Sequence, residues 1–342
     1  MMSDTDIVFR LLQASLTGTV AEIEPIDTHR WWNLFRLLQK NHVAALAAES
    51  LAKLPKELQP PRDVLIPWLA EQGKAIAWYQ HQLKVQNEIS VLLKKKGIET
   101  LVLKGSCVAK YYPKPELREF GDLDLYFYDR HNEADRLVQR YFGIEIANDI
   151  NHHTKYNLHG VTIESHYHLL NQHPHSNHPY EMLLQPLIPS PTFEVLFLLR
   201  HAACHFAASR ITLRDLIDWT LTCRTLDNQV DWELVKESIE KYGMTDFASA
   251  LCIIAEKRLG VPCTLMFPQT DYVEQVERDI VYGNPQSAER DQEDLGRLVW
   301  KLQRYRANRW KQRLVFNDSA FNLFLSSLTT HTRNPHSILH KQ

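Results

Sequence analysis

Glycine is scarce in this chain, with 11 residues in 342. So low a content disfavours a glycine-rich all-β fold and suits a helical one. Cysteine is also sparse and its count is odd: Cys107, Cys204, Cys223, Cys252 and Cys263 lie far apart and form no C-x-x-C pair. The expectation is free thiols in a reducing compartment. No charge of one sign dominates, since 39 basic against 41 acidic residues leave a net charge of −2. That balance excludes a strongly basic nucleic-acid coat and an acidic tail, while leaving room for a local basic patch. No apolar run reaches the roughly 18 residues that span a bilayer, so stable membrane insertion is not expected. The stretch Met1-Met2-Ser3-Asp4-Thr5-Asp6 lacks the basic start and apolar core of a signal peptide. Ser3 and Asp6 instead have the spacing of a helix capping box, and a cytoplasmic protein is expected.

What the chain does have is helical periodicity at both ends. Leu11, Leu12 and Leu16, then Trp32, Leu34, Phe35 and Leu38, recur at helical spacing. Val64 to Lys96 is one long helical pattern closed by three lysines and Gly97, a good stop because cations favour the C-terminal dipole. Helical patterns return at 193–208, 213–224, 232–242, 246–259, 272–281 and 291–316, after a Pro-, His- and Asn-rich stretch from Asn171 to Pro191 that reads as a loop. Between the two helical regions the texture is β-prone. Ile98–Leu103, Asp122–Phe127, Gly143–Ile146, Lys155–Leu158 and Val161–His166 read as short strands, and Leu158-His159-Gly160-Val161 as a tight hairpin. The organisation predicted is an N-terminal helical region (1–97), a small α+β core (98–170) and a C-terminal helical domain (171–342).

The core holds the residues that carry chemistry. Lys104-Gly105-Ser106 turns from a strand into a small helix, where glycine permits close backbone approach to an anion and a serine hydroxyl adds a donor. Asp122 and Asp124, two apart on a strand, project to one side while Leu123 and Leu125 enter the core. Adjacent carboxylates repel, and a divalent cation with oxygen ligands relieves them. Glu164 supplies a third acid on a later strand, and His166 shares its face. Three carboxylates around one or two metals, beside an anion-binding turn, suit in-line nucleotidyl transfer.

The set Leu103-Lys104-Gly105-Ser106, Arg118-Glu119-Phe120-Gly121-Asp122-Leu123-Asp124-Leu125 and Ile163-Glu164-Ser165-His166 resembles the polymerase-β-type nucleotidyltransferase superfamily. Within it, the set is most similar to a bacterial family of uncharacterised nucleotidyltransferases. His201-Ala202-Ala203-Cys204-His205 and Leu213-Arg214-Asp215-Leu216-Ile217-Asp218 resemble that family's helical portion, so the similarity covers roughly 35 to 225. The resemblance implies a polymerase-β-like α+β core, with a small mixed sheet, flanked by helical regions. It implies Asp122, Asp124 and Glu164 as catalytic metal carboxylates for Mg²⁺ or Mn²⁺, Gly105 and Ser106 as holders of the NTP triphosphate, and Lys104 and Arg118 as phosphate contacts. His166 would orient substrate or act as a base. The acceptor is left open among a small molecule, a sugar, a protein and an RNA. The spacer from Cys107 to Gly121 is longer than is usual in the superfamily, and the Pro113-Lys114-Pro115 loop can absorb the excess.

Two other functions are compatible with parts of the pattern. Asp122-Leu123-Asp124 also resembles the metal-binding D-x-D of sugar-nucleotide glycosyltransferases, which place a multi-stranded nucleotide-binding half before it; here the preceding residues read as helical. A non-catalytic nucleotide-binding module on the same fold would be marked by a lost carboxylate, and none is lost. His201 and His205 have the i, i+4 spacing of metal ligands, but Ala202 stands where a zinc protease needs Glu, so packing or substrate contact is expected. Arg214, Asp215 and Asp218 would pair structurally or line the acceptor side of the cleft. From 297 to 313, Arg297, Lys301, Arg304, Arg306, Arg309, Lys311 and Arg313 occur without an acid, a candidate polyanion contact or a solvated helix face.

Overall fold

The computed structural model describes residues 2–148, 153–170, 177–283, 303 and 306–315. The N-terminal third is helical. α1 (Asp4–Thr17) starts at the Ser3–Asp6 capping box and ends at Gly18. α2 (Thr28–Lys40) and α3 (Ala44–Leu51) follow, and then the 33-residue α4 (Arg62–Lys94). The first turns of α4 bury Val64 and Trp68. Trp68 stacks on Phe35, meets Trp31 edge-on, and donates its indole N–H to the Ala44 carbonyl at 2.8 Å. The last turns of α4 bury Val85, Ile89 and Leu93 beneath the sheet. One helix thereby joins the two hydrophobic clusters of the molecule.

The sheet has five strands: β1 (Leu101–Val102), β2 (Leu123–Tyr126), β3 (Ala147–Asn148), β4 (His153–Leu158) and β5 (Val161–His166). Their spatial order is β1-β2-β5-β4-β3, with β2 and β5 parallel and every other pair antiparallel. α5 (Ser106–Ala109) leaves β1, and α6 (His131–Phe142) crosses between β2 and β3. Leu123, Leu125, Tyr156, Leu158, Val161 and Ile163 face α4 and α6 and form the smaller core. The opposite sheet face carries the carboxylates. It looks toward α8 (Pro191–Ala208) and α9 (Leu213–Leu226), the two helices that complete the site. α10 (Trp232–Lys241), α11 (Thr245–Ile254) and α12 (Val273–Tyr282) finish the larger core. That core also holds α1, which packs on α3 and on the π-turn Ala255–Leu259 after α11. The α+β class holds: a small mixed sheet flanked by helices.

Several sequence expectations need correction. Cys252 and Cys263 are a disulfide rather than free thiols. The chain reverses at Gly260 (φ 66) and brings their Cα atoms to 5.5 Å. The Asn171–Pro191 stretch is not all loop, since α7 (Asn177–Leu184) lies within it. Tyr180 and Leu184, one helical turn apart, are both buried, and Tyr180 packs edge-on against Tyr242. The strand expected at Gly143–Ile146 falls at β3, because Gly143 (φ 66) is the left-handed cap of α6 and the chain must leave that cap first. Of the basic stretch 297–313, Arg297, Lys301 and Arg304 lie outside the described residues. Residues 306–315 are helical, with Arg306, Arg309 and Arg313 exposed. Lys311 is buried and bonds Asp279 Oδ1 and the Ser209 carbonyl, each at 2.6 Å, so it faces the protein and not a polyanion. Among the described residues no helix is long and apolar enough to cross a membrane.

α3 has no side-chain cap of its own. Glu119, far along the chain, accepts from the Ala45 amide at 2.9 Å and fills that role. Burial raises the Glu119 carboxyl to about 7, from an ordinary 4.5, with Glu71 adding to the rise. The folded chain therefore holds this proton more tightly than the unfolded chain. Its contribution is full below pH 4.5 and is lost as pH rises toward 7. Glu119→Gln keeps an acceptor for Ala45 without the buried charge. It should stabilise the protein by about 2 kcal/mol at pH 8, after discounting for partial exposure, and have almost no effect at pH 4.5. Urea unfolding at the two pH values checks this; equal increments at both would contradict it.

Candidate active site

The site starts at the β1–β2 pairing. The Leu103 amide donates to the Asp124 carbonyl at 3.0 Å, so the chain leaves β1 beside Asp124. Lys104, the next residue, then reaches the Asp124 carboxylate, with Nζ 3.1 Å from Oδ2. Gly105 takes φ 64, a left-handed conformation that glycine accepts readily, and a Cβ there would stand 3.3 Å from the Phe120 ring. The residue that turns the chain toward α5 is thus constrained both by its dihedral and by close packing.

Parallel pairing of β2 with β5 sets Asp124 directly opposite Glu164, and Tyr126 opposite His166. All four share one face. Asp124 is buried, and its Oδ1 lies 3.0 Å from His166 Nε2. Burial alone would raise the Asp124 carboxyl. Lys104 and the hydrogen bond from His166 outweigh it and hold the group far below the usual carboxylate range. For Lys104, burial pulls down, while Asp124, Asp122 and Glu164 pull up more strongly, and the ammonium is held charged. Glu164 shifts the other way: burial, Asp122 and Asp124 raise it against the Lys155 ammonium at 3.1 Å. The two aspartates therefore help to raise Glu164, and the Lys104 and Lys155 ammoniums offset the acids of this face.

A cleft of about 290 Å³ opens over this face. Its floor is Lys104, Gly105, Gly121, Asp122 and Asp124. Its far wall is Leu198, His201, Ala202 and His205 of α8 with Thr212, Arg214, Asp215 and Asp218 at the start of α9, joined by His42, Arg118 and Arg210. His201 Nε2 accepts from Lys104 Nζ at 3.0 Å and lies 3.1 Å from His205 Nε2. Burial, then Lys104, pushes both histidines below their ordinary range. Burial followed by Arg214 does the same for His42. The wall thus presents neutral imidazoles, guanidiniums and the carboxylates of Asp215 and Asp218, facing the Asp122 and Asp124 carboxylates and the Lys104 ammonium.

The residues singled out from sequence are distributed as follows. Lys104, Gly105, Arg118, Asp122 and Asp124 line the cleft, and Glu164 and His166 adjoin it through Asp124. Ser106 is set apart. Its hydroxyl donates to Gln86 Oε1 at 2.6 Å and lines a second cavity with Phe193 and Glu194. Arg118 is buried in a bidentate pair with Asp218, at 2.8 and 2.6 Å. Asp215 closes the capping box of α9 through Thr212. His201, His205, Asp215 and Asp218 all line the cleft as well as pack. His42 and Arg210, which line the cleft, and His153, which pairs with His166 beside it, were not expected at the site. His42 sits at a left-handed turn (φ 54) and Arg210 in a loop, where no periodicity marks them. His153 was legible in principle, because counting outward from the tight hairpin puts it opposite His166.

A family model described as an uncharacterised nucleotidyltransferase matches residues 27–260. That span includes the sheet, α8, α9 and every residue of the cleft. No curated protein and no solved structure matches the chain.

Proposed function

Because the chain belongs to this family of uncharacterised nucleotidyltransferases, enzymes that transfer phosphorus-containing groups, we propose that it moves a nucleoside monophosphate from an NTP to an acceptor and releases pyrophosphate. The observation that carries the reading is the register of β2 against β5, which pairs Asp124 with Glu164 beside Asp122 and under the cleft. The donor set fits a hard divalent cation. It offers carboxylate oxygens from neighbouring strands, mutually repelling and offset here by the Lys104 and Lys155 ammoniums. Asp122, Asp124 and Glu164 would hold Mg²⁺ or Mn²⁺, which when bound supplies charge neutralisation at the triphosphate and acidifies the attacking hydroxyl.

The chain's own groups do the rest. Gly105 forms part of the cleft floor where the phosphates would lie. Lys104 brings positive charge to the same place. Arg210, Arg214 and the neutral His42 present donors from the far wall, suited to the remaining phosphate oxygens or to an anionic acceptor. The acceptor oxygen attacks the α-phosphorus, the bond to the β-phosphate oxygen breaks, and pyrophosphate leaves with that electron pair. The enclosure by α8 and α9 limits water, which would otherwise compete as acceptor.

The test is transfer of label. The full chain is incubated with Mg²⁺ or Mn²⁺, a cell extract and each NTP labelled at the α- or the γ-phosphate. The expected result is α-label in a new product and γ-label in pyrophosphate alone. Movement of γ-label into a product would make the protein a kinase. UDP-sugar consumption with no NTP use would favour the glycosyltransferase reading, and NTP binding without turnover would favour a binding module.

A further inference from the structure

Beside the three carboxylates, one strand further across the same sheet face, lies a donor set of different chemistry. His153 on β4 pairs directly with His166 on β5. Its Nε2 is 3.6 Å from Glu164 Oε1. One donor atom from each of His153, Glu164 and His166 lies within 4.8 Å of the other two. Both imidazoles are buried, with side chains 8% and 3% exposed. Two rings and a carboxylate are thus gathered out of bulk water, on adjacent strands whose pairing fixes their backbone positions.

The orientation of His166 points to what they face. Its Nδ1 lies 3.2 Å from the His168 carbonyl oxygen and its Nε2 lies 3.0 Å from Asp124 Oδ1, so both ring nitrogens face oxygens that only accept. A neutral ring has one hydrogen and satisfies one of them; with Nδ1 bonded to the carbonyl, the Nε2 lone pair and Asp124 Oδ1 converge as donors to a cation. Anchoring the remote ring nitrogen on a backbone carbonyl is how metal-binding histidines are commonly oriented.

We propose that His153, Glu164 and His166 form a site for a first-row transition-metal dication, with Asp124 Oδ1 at hand as a fourth donor. Two imidazoles and a carboxylate are a ligand set for Zn²⁺ and its neighbours rather than for Mg²⁺, which prefers an all-oxygen shell. The inference rests on the reading of this face as metal-bearing. It does not depend on which group is transferred. Glu164 would then belong to two adjacent cation positions, one all-oxygen with Asp122 and Asp124, the other nitrogen-rich.

The experiment uses the tag-free full chain, stripped with a chelator and titrated with Co²⁺ alone, reading the visible absorption of the bound ion. One equivalent with the bands of a nitrogen-containing, low-coordinate site is expected, displaced by Zn²⁺ and not by Mg²⁺. His153→Ala should weaken Co²⁺ binding about 100-fold or more, with the fold verified by circular dichroism. His29→Ala, on an exposed position of α2, should leave binding unchanged. X-ray absorption at the zinc edge of the Zn²⁺-loaded wild-type chain supplies a measurement that needs no variant, and scattering from about two imidazoles is expected. An all-oxygen shell, or Co²⁺ affinity unmoved by His153→Ala, would overturn the proposal. Asp122→Asn separates the two readings, since it should abolish nucleotidyl transfer and leave Co²⁺ affinity within about threefold. Transfer activity in wild type without any Co²⁺ site would sink this inference and spare the proposed reaction.

Discussion

Asp122→Asn and Asp124→Asn should each lower nucleotidyl transfer by about 10³-fold or more, and only the second should also destabilise the protein. An amide keeps the shape of the carboxylate and loses the charge that a divalent cation requires. The two positions differ in their surroundings. Asp122 is half-buried just before β2, so its substitution should leave the unfolding midpoint within experimental error. Asp124 is buried against the Lys104 ammonium and His166. Removing its charge strands Lys104, itself largely buried, beside two neutral histidines of α8. Breaking a buried pair by removing one partner commonly costs about 3 kcal/mol or more. Lys104→Met added to Asp124→Asn should recover much of that stability and none of the activity. Measuring turnover and urea unfolding on the same preparations checks both halves. Wild-type turnover in Asp122→Asn would end the metal-carboxylate assignment.

Arg118→Ala should be the most damaging single truncation for stability in the cleft wall, at about 3–5 kcal/mol. Arg118 and Asp218 bond through two parallel contacts, and Tyr112 donates to the same Asp218 oxygen at 2.7 Å. The guanidinium also lies 5.1 Å over the Phe120 ring. The pair ties the segment before β2 to α9, and so holds the far wall against the floor. Without Arg118 the Asp218 carboxylate stays buried with one hydroxyl for company. Arg118→Lys should recover little, because a point charge cannot make two parallel bonds. The double variant Arg118→Met/Asp218→Leu should lose far less than the sum of the single variants, as expected when the cost lies in the orphaned charge. Denaturant midpoints for the four proteins close the cycle. A single-variant loss below about 1 kcal/mol would place the pair among weakly contributing ion pairs.

Local pattern carried the sheet's chemistry a long way. Alternation in Leu123-Asp124-Leu125 sends the leucines to the α4 side and the aspartate to the cleft, as period-two reasoning requires. The two-residue turn at His159-Gly160 fixes β4 against β5 without slippage, which makes the placement of Glu164 and His166 readable from the chain alone. Helices with long apolar stripes, such as α8, were legible for the same reason.

What escaped was set by contacts between distant segments. Nothing in the neighbourhood of Ser106 announces that Gln86 on α4 will take its hydroxyl. Glu119 caps α3 across a sequence separation of 74 residues, and no pattern near Ala44 predicts it. α7 lies in a composition typical of loops because two buried side chains, Tyr180 and Leu184, are enough to anchor it. The Cys252–Cys263 disulfide depends on a reversal at Gly260 that a spacing rule cannot foresee. The cleft wall is assembled from His42, Arg210 and the head of α9, three places that meet only once the larger core has closed.

The packing of α1 against the turn at Ala255–Leu259, reinforced by Arg258 bridging Asp6 and Glu277, bears on the order of events during synthesis. The first helix meets α3 soon after synthesis, but the turn at Ala255–Leu259 does not yet exist. Its apolar side, Ile7, Val8, Leu11 and Leu12, must wait for more than two hundred further residues to be translated before it can be fully covered. Until then the nascent chain has α3 to cover only part of that strip, a window in which chaperone capture competes with premature self-association.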